Sequence, residues 1–140
     1  MTVTTYRSTV DRFHRAIDAG VFDEPPVELL NGNLLVMAPE RELHAFSNSE
    51  VGDYLRQRLG DRAKVCEAHP ITLNDESEPM PDLAIVKLRG RAYLEHHPYP
   101  EDIYWLTEFS KATLARDLGE KKSALAFSDL DVGVDRFLLA

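Results

Sequence analysis

A single cysteine, Cys66, leaves no partner for an intrachain disulfide, so nothing in the sequence points to an oxidising compartment. No apolar run approaches the roughly 20 residues that a membrane-spanning helix needs. The N-terminus is polar, with Asp11 soon after Arg7, unlike a secretory signal. A cytoplasmic location without a membrane partner is the resulting expectation. Basic residues are in deficit: 16 Lys and Arg against 24 Asp and Glu give a net charge of -8. Non-specific coating of nucleic acid relies on clustered cations, so the deficit argues against that mode and leaves room for a local basic groove around Lys87, Arg89 and Arg91. P-loop, dinucleotide-turn and nucleophile-elbow patterns are missing, as are internal repeats and low-complexity segments. What is present, 44% hydrophobic and 29% charged residues in a chain of 140, suits one globular domain with a real core.

Val10, Phe13 and Ile17 recur at helical spacing behind Ser8, which reads as a cap with Asp11 completing a capping box. This predicts an N-terminal helix over about 5–20, ended by Gly20. Pro25-Pro26 breaks the chain before Val27-Glu28-Leu29-Leu30, and Asn31-Gly32 signals a tight hairpin turn into Asn33 to Met37. A second helix is expected from about Arg41 to Leu59, with Gly60 at its end and an inward stripe of His44, Asn48, Val51, Leu55 and Leu59. Residues 63–73 read as a strand made irregular by Pro70, and Asn74 to Pro79 as an acidic turn. Strands are expected at 82–86 and 103–109, joined by an irregular connection rich in His and Pro. A third helix, roughly Thr113 to Phe127, and a final strand from Val134 to Leu139 complete an order typical of an α/β or α+β domain around a central sheet.

Chemistry concentrates at two strand ends. Pro81-Asp82 opens the apolar run Leu83-Ala84-Ile85-Val86, and Glu108 lies near the end of the run Ile103 to Phe109. Period two groups Asp82 with Ala84 and Val86, and Glu108 with Leu106 and Tyr104. If the two strands pair antiparallel, the start of one meets the end of the other. Their carboxylates then share one spot, where mutual repulsion favours a bound cation or a shared proton. In the third helix Leu114, Leu118 and Leu125 mark a buried stripe, and Lys121 falls within it, about 20° from Leu114 by helical geometry. An inward lysine needs water, a carboxylate or a ligand for its ammonium. Two acids, a metal and a lysine form a minimum set for phosphodiester hydrolysis, and hard oxygen ligands select Mg²⁺ or Mn²⁺.

Each residue also has an ordinary structural reading: Asp82 as a turn cap after proline, Glu108 as a solvated edge acid, Lys121 as a snorkelling surface lysine. Glu28, flanked by Val27, Leu29 and Leu30, fits an exposed strand position more readily than a site. His44 fits a structural histidine, with Asn48 one turn on as a hydrogen-bond partner, or a group that binds metal or moves a proton. His69, His96 and His97 do not form a ligand set by sequence neighbourhood, and one cysteine does not make a zinc site.

The order Val27-Glu28-Leu29-Leu30-Asn31-Gly32, His44, Pro81-Asp82, Glu108-Phe109-Ser110 and Asp117-Leu118-Gly119-Glu120-Lys121 resembles the Uma-two type family of restriction-endonuclease-like proteins, within the PD-(D/E)XK nuclease superfamily. The resemblance runs from about residue 22 to 121. It implies a restriction-endonuclease-like three-layer fold, a central mixed β-sheet flanked by helices, over a single domain 1–140. It also implies a Mg²⁺-dependent (or Mn²⁺-dependent) endonuclease acting on DNA, with a catalytically inactive binding or assembly protein as the alternative. Asp82 and Glu108 then hold the metal, Lys121 is the catalytic lysine, and Glu28 and His44 are supporting polar residues. The superfamily's usual lysine stands two residues after the glutamate, where this chain has Ser110, and the resemblance moves that role onto the following helix. After about residue 122 the chain departs from the family's pattern, which would leave a sheet edge uncovered and open to pairing as a homodimer.

Overall fold

Asn31 and Gly32 form the turn their pairing predicts, with φ of 49° and 76°, the left-handed conformation that both central residues of a tight hairpin turn require. A computed structural model of the protein describes residues 1–109. The turn joins strands β1 (Val27–Leu30) and β2 (Asn33–Val36), which pair antiparallel with Leu30 opposite Asn33. A Cβ on Gly32 would come within 2.8 Å of the Arg7 Cβ, so space and backbone conformation both call for glycine there.

Before the hairpin, helix α1 (Val10–Asp18) is shorter at both ends than the span of about 5–20 that its sequence suggests. Thr9, not Ser8, is the cap: its Oγ1 accepts from the Arg12 N–H at 3.4 Å. Ser8 is buried, and its N–H donates to the Gly32 carbonyl at 2.8 Å, which ties the helix to the hairpin turn. Asp11 pairs with Arg15 one turn on at 3.1 Å. Gly20, at φ 72°, follows the helix end as expected.

Helix α2 (Glu42–Leu59) stops at Gly60, and strands β3 (Lys64–Glu67), β4 (Leu83–Val86) and β5 (Ile103–Thr107) form an antiparallel sheet in the order β3-β4-β5. Short 3-10 turns occupy Gly60–Arg62, Gly90–Leu94 and Pro100–Asp102. β3 is shorter than the strand expected over 63–73. Ala68, at φ 48°, turns the chain out of the sheet before Pro70 is reached. The backbone then folds on itself, with Ile71 N–H to the Pro79 carbonyl and Leu73 N–H to the Ser77 carbonyl, both near 3 Å.

β4 is central and buried along its whole length, which accounts for its unbroken apolar run. Leu83 and Ile85 pack with Leu55, Leu59, Ala63 and Val65 on the side covered by α2. Ala84 and Val86 pack on the other side with Ile71, Tyr93, Ile103 and Leu106. The inward stripe of α2 is largely as read, with Asn48, Leu55 and Leu59 buried and Gly52 added to them. β4 and β5 run antiparallel with Leu83 opposite Thr107, as the sequence suggested. Their register shifts between Ile85 and Val86, whose partners are Trp105 and Ile103. Tyr104 is the extra residue of this bulge and packs towards α2, whereas Leu106 faces the opposite side, so the alternation expected from Tyr104 to Glu108 is broken at its start. The described residues are thus an α+β arrangement of two helices and two small antiparallel sheets. The expected third helix with Lys121 and the final strand lie outside them.

Tyr93, packed behind β4, donates its hydroxyl to the Lys87 carbonyl at 2.9 Å. Burial, reinforced by the Asp102 carboxylate, pushes its phenol up from 10.0 to about 12. Folding therefore favours the neutral phenol. Its contribution is complete below the ordinary phenol range and is lost as pH rises from about 10 through about 12. Urea unfolding at a series of alkaline pH values is expected to show stability falling across this window, and Tyr93→Phe to flatten the fall while costing about 1 kcal/mol at pH 8 for the lost hydrogen bond. An unchanged slope in the variant would contradict this account.

Candidate active site

Asp82 sits one residue before β4, where three backbone-defined positions meet. Its own carbonyl accepts from the Ala68 N–H at 3.0 Å, just beyond the end of β3. Its Oδ2 accepts from the Phe109 N–H at 2.6 Å, just beyond the end of β5. Its Oδ1 lies 3.0 Å from His44 Nε2 on the first turn of α2. The residue is thus held from three directions, two of them on its carboxylate, and its side chain retains 19% exposure. A carboxylate so held is not free to rotate.

The register brings Glu108 to the position across from Asp82. Leu83 opposes Thr107, so the next residues outward on the two strands are Asp82 and Glu108, and the bond from Phe109 N–H to Asp82 closes the pair beyond the last ladder position. The antiparallel meeting of these strand ends is therefore as the sequence suggested. Glu108 is partly buried.

His44 belongs to this cluster and is not an isolated helix-start histidine. Its Nε2 also lies 3.6 Å from Glu40 Oε1, and its ring stands edge-on to Phe109 with centroids 6.2 Å apart. Asn48 does not orient it in the described structure: Asn48 Oδ1 is buried without a hydrogen-bond partner among the described residues. Glu28 is also not the exposed strand residue its neighbours suggested. It is partly buried, and its Oε2 accepts from the Met80 N–H at 2.9 Å. Next to it the Leu29 carbonyl accepts from the Glu78 N–H at 2.8 Å. The edge of β1 therefore holds the Glu78-Pro79-Met80-Pro81 segment that leads into Asp82. No single-residue pattern signals this, because the bond is made across the 52 positions between Glu28 and Met80.

The cluster brings carboxylates around one imidazole. Glu40 and Asp82 both approach His44, and the ion-pair partner of Asp82 among the described residues is His44. Oxygen donors at a partly exposed position suit a hard divalent ion, so the residues present fit a Mg²⁺ or Mn²⁺ ion. The basic groove read from Lys87, Arg89 and Arg91 is reduced in one respect: Arg89 Nε donates to Asp102 Oδ1 at 2.8 Å. That hydrogen bond raises the Arg89 guanidinium above its ordinary value. Asp102 is buried and also accepts from the Tyr99 N–H, so Arg89 is committed to the connection before β5. Lys121 lies outside the described residues.

Sequence reasoning missed Glu40 and Phe109, the first because an acid in a loop gives no period, the second because it acts through its backbone. It also passed over Glu78 as part of an acidic turn, although Glu78 is 3% exposed.

Comparison with known proteins bears on the whole arrangement. The model of the Uma2 family, described as "Putative restriction endonuclease", matches residues 10–126. No curated protein matches the chain. Among the described residues no helix is long and apolar enough to cross a membrane.

Proposed function

Because the chain belongs to the Uma2 family of restriction-endonuclease-like proteins, we propose that it is a metal-dependent endonuclease that hydrolyses phosphodiester bonds, with DNA as substrate. The observation that carries this reading is the convergence on Asp82 of His44 from α2 and Phe109 from the end of β5. Asp82 and Glu108 are the residues that would hold Mg²⁺ or Mn²⁺. When bound, the ion polarises the phosphoryl oxygen and acidifies a water.

The chain's own groups do the rest. The Phe109 N–H and His44 keep the Asp82 carboxylate in one orientation. Glu28 holds the Met80 backbone, and with it the approach to Asp82. Lys121, on the segment after Glu108, supplies the positive charge that offsets the charge developing on the phosphoryl group. The net charge of -8 leaves the protein without a general attraction for nucleic acid, so binding depends on the ion and on local cations such as Lys87 and Arg91.

Supercoiled plasmid incubated with purified protein is expected to be nicked or linearised in Mg²⁺ or Mn²⁺, and to stay intact when a chelator is added first. Single-stranded DNA and RNA run in parallel define the substrate. Cleavage that continues in the chelator would overturn the metal dependence. Specific metal binding without cleavage of any of these substrates would favour a protein that keeps the fold for binding or assembly.

A further inference from the structure

We propose that the protein carries a second metal site, independent of the Asp82 cluster, in which His14, Glu78 and His97 bind Zn²⁺ or a similar borderline divalent ion. The three residues come from α1, from the segment before β4 and from the connection before β5. They offer ligand atoms that all lie within 4.8 Å of one another. His14 Nε2 is 2.5 Å from Glu78 Oε1, and His97 Nε2 is 3.9 Å from the same oxygen. The two imidazole rings stand edge to face with centroids 6.4 Å apart.

Glu78 makes this more than a surface ion pair. Its side chain is 2% exposed, whereas His14 and His97 are 46% and 42% exposed. A carboxylate buried to that degree requires compensation. Thr72 Oγ1 donates to its Oε2 at 2.8 Å, which leaves Oε1 as the atom that both imidazoles approach. A proton on His14 satisfies one contact and leaves His97 beyond hydrogen-bond distance. A cation bonded to all three satisfies them together. In a tetrahedral zinc site with bonds of about 2.0–2.1 Å, ligand atoms stand roughly 3.3 Å apart. Small side-chain movements, with His14 and Glu78 parting and His97 drawing in, reach that spacing.

The ligands are carried on fixed backbone. Val10 N–H at the start of α1 donates to the Asp75 carbonyl at 2.7 Å, Glu78 N–H to Leu29, and Thr72 N–H to the Pro98 carbonyl next to His97. Phe13, beside His14, is buried and packs against Phe22. Two exposed imidazoles over a buried carboxylate give an ion a path from solvent. The donor set of two nitrogens and one oxygen also differs in kind from the hard oxygens at Asp82 and Glu108: imidazole suits zinc and its neighbours, carboxylate oxygen alone suits magnesium. The ion clamps α1 onto the loops before β4 and β5.

Sequence neighbourhood on an irregular segment does not define a ligand set for His96 and His97, and the two part company in the fold. His96 Nδ1 instead bonds the His97 carbonyl and its ring stacks on Tyr99. His97 has its partners 19 and 83 positions away, at Glu78 and His14.

The test is a calorimetric titration of metal-free, full-length protein with Zn²⁺ in excess Mg²⁺, alongside thermal unfolding. The wild type and His44→Ala are expected to bind one equivalent that Mg²⁺ does not displace, and to unfold several degrees higher with Zn²⁺. His97→Ala is expected to lose that equivalent and the stabilisation, while its metal-free circular dichroism and unfolding midpoint match those of the wild type. Co²⁺ in place of Zn²⁺ should give visible absorption bands that His97→Ala and His14→Ala both lack. Absence of binding by the wild type would overturn the proposal. So would equal binding by His97→Ala, or loss of the equivalent in His44→Ala. These readouts involve no nuclease activity, so they stand or fall separately from the proposed function.

Discussion

Asp82→Asn is expected to reduce plasmid cleavage by about 10³-fold while leaving the fold in place, the scale of loss when one preset electrostatic partner of a reacting group is removed. The substitution keeps the size of the side chain and an oxygen that accepts from the Phe109 N–H. What it removes is the negative charge that, in the proposed site, Asp82 and Glu108 would offer to the ion. His44→Ala is expected to act through Asp82 and to cost less, about 10–100-fold, as is usual for a group that orients a metal ligand. Initial rates across a Mn²⁺ titration separate the two. His44→Ala should regain much of its rate at high metal, and Asp82→Asn should not. Wild-type rates in Asp82→Asn, with metal binding unchanged, would remove Asp82 from the site.

Ile85→Ala is expected to destabilise the protein by about 3–4 kcal/mol, within the range of roughly 2–5 kcal/mol seen when a fully buried isoleucine is cut back and its cavity does not collapse. Ile85 has 0% exposure, pairs with Val65 on one side and Trp105 on the other, and packs against Leu55 and Leu59 of α2. Neighbours on two strands and a helix limit relaxation into the space. Val36→Ala, at a 67% exposed edge position, provides the contrast and is expected to change stability by less than about 0.5 kcal/mol. Urea denaturation of both variants checks the difference. A loss below about 1 kcal/mol for Ile85→Ala would mean that β4 is not the centre of the core.

The hairpin was legible because its signal is local: a left-handed turn needs Asn-Gly, and Asn31-Gly32 is that pair. α2 was legible from the spacing of Leu55 and Leu59 and from Gly60. β4 was legible from its unbroken apolar run. The end of β3 was not, because a positive φ at Ala68 leaves no mark in the residue type. The bulge at Tyr104 was not, because it belongs to the fit of β5 on β4. Thr9 displaced Ser8 as the α1 cap because Ser8 is used to join the helix to the hairpin turn.

The same division runs through the candidate site. Among the described residues the sequence by itself determined the hairpin, α2, β4 and the position of Asp82 and Glu108 at the ends of strands able to pair, since these follow from period, propensity and turn chemistry. Tertiary structure alone decided that His44 touches Asp82, that Glu28 holds Met80, and that His14, Glu78 and His97 share one place. The first two contacts join residues 38 and 52 positions apart, and the last group joins residues 19, 64 and 83 positions apart. No pattern along the chain encodes such meetings, which exist only once burial of Leu83 to Val86 against both faces has fixed where every loop must pass.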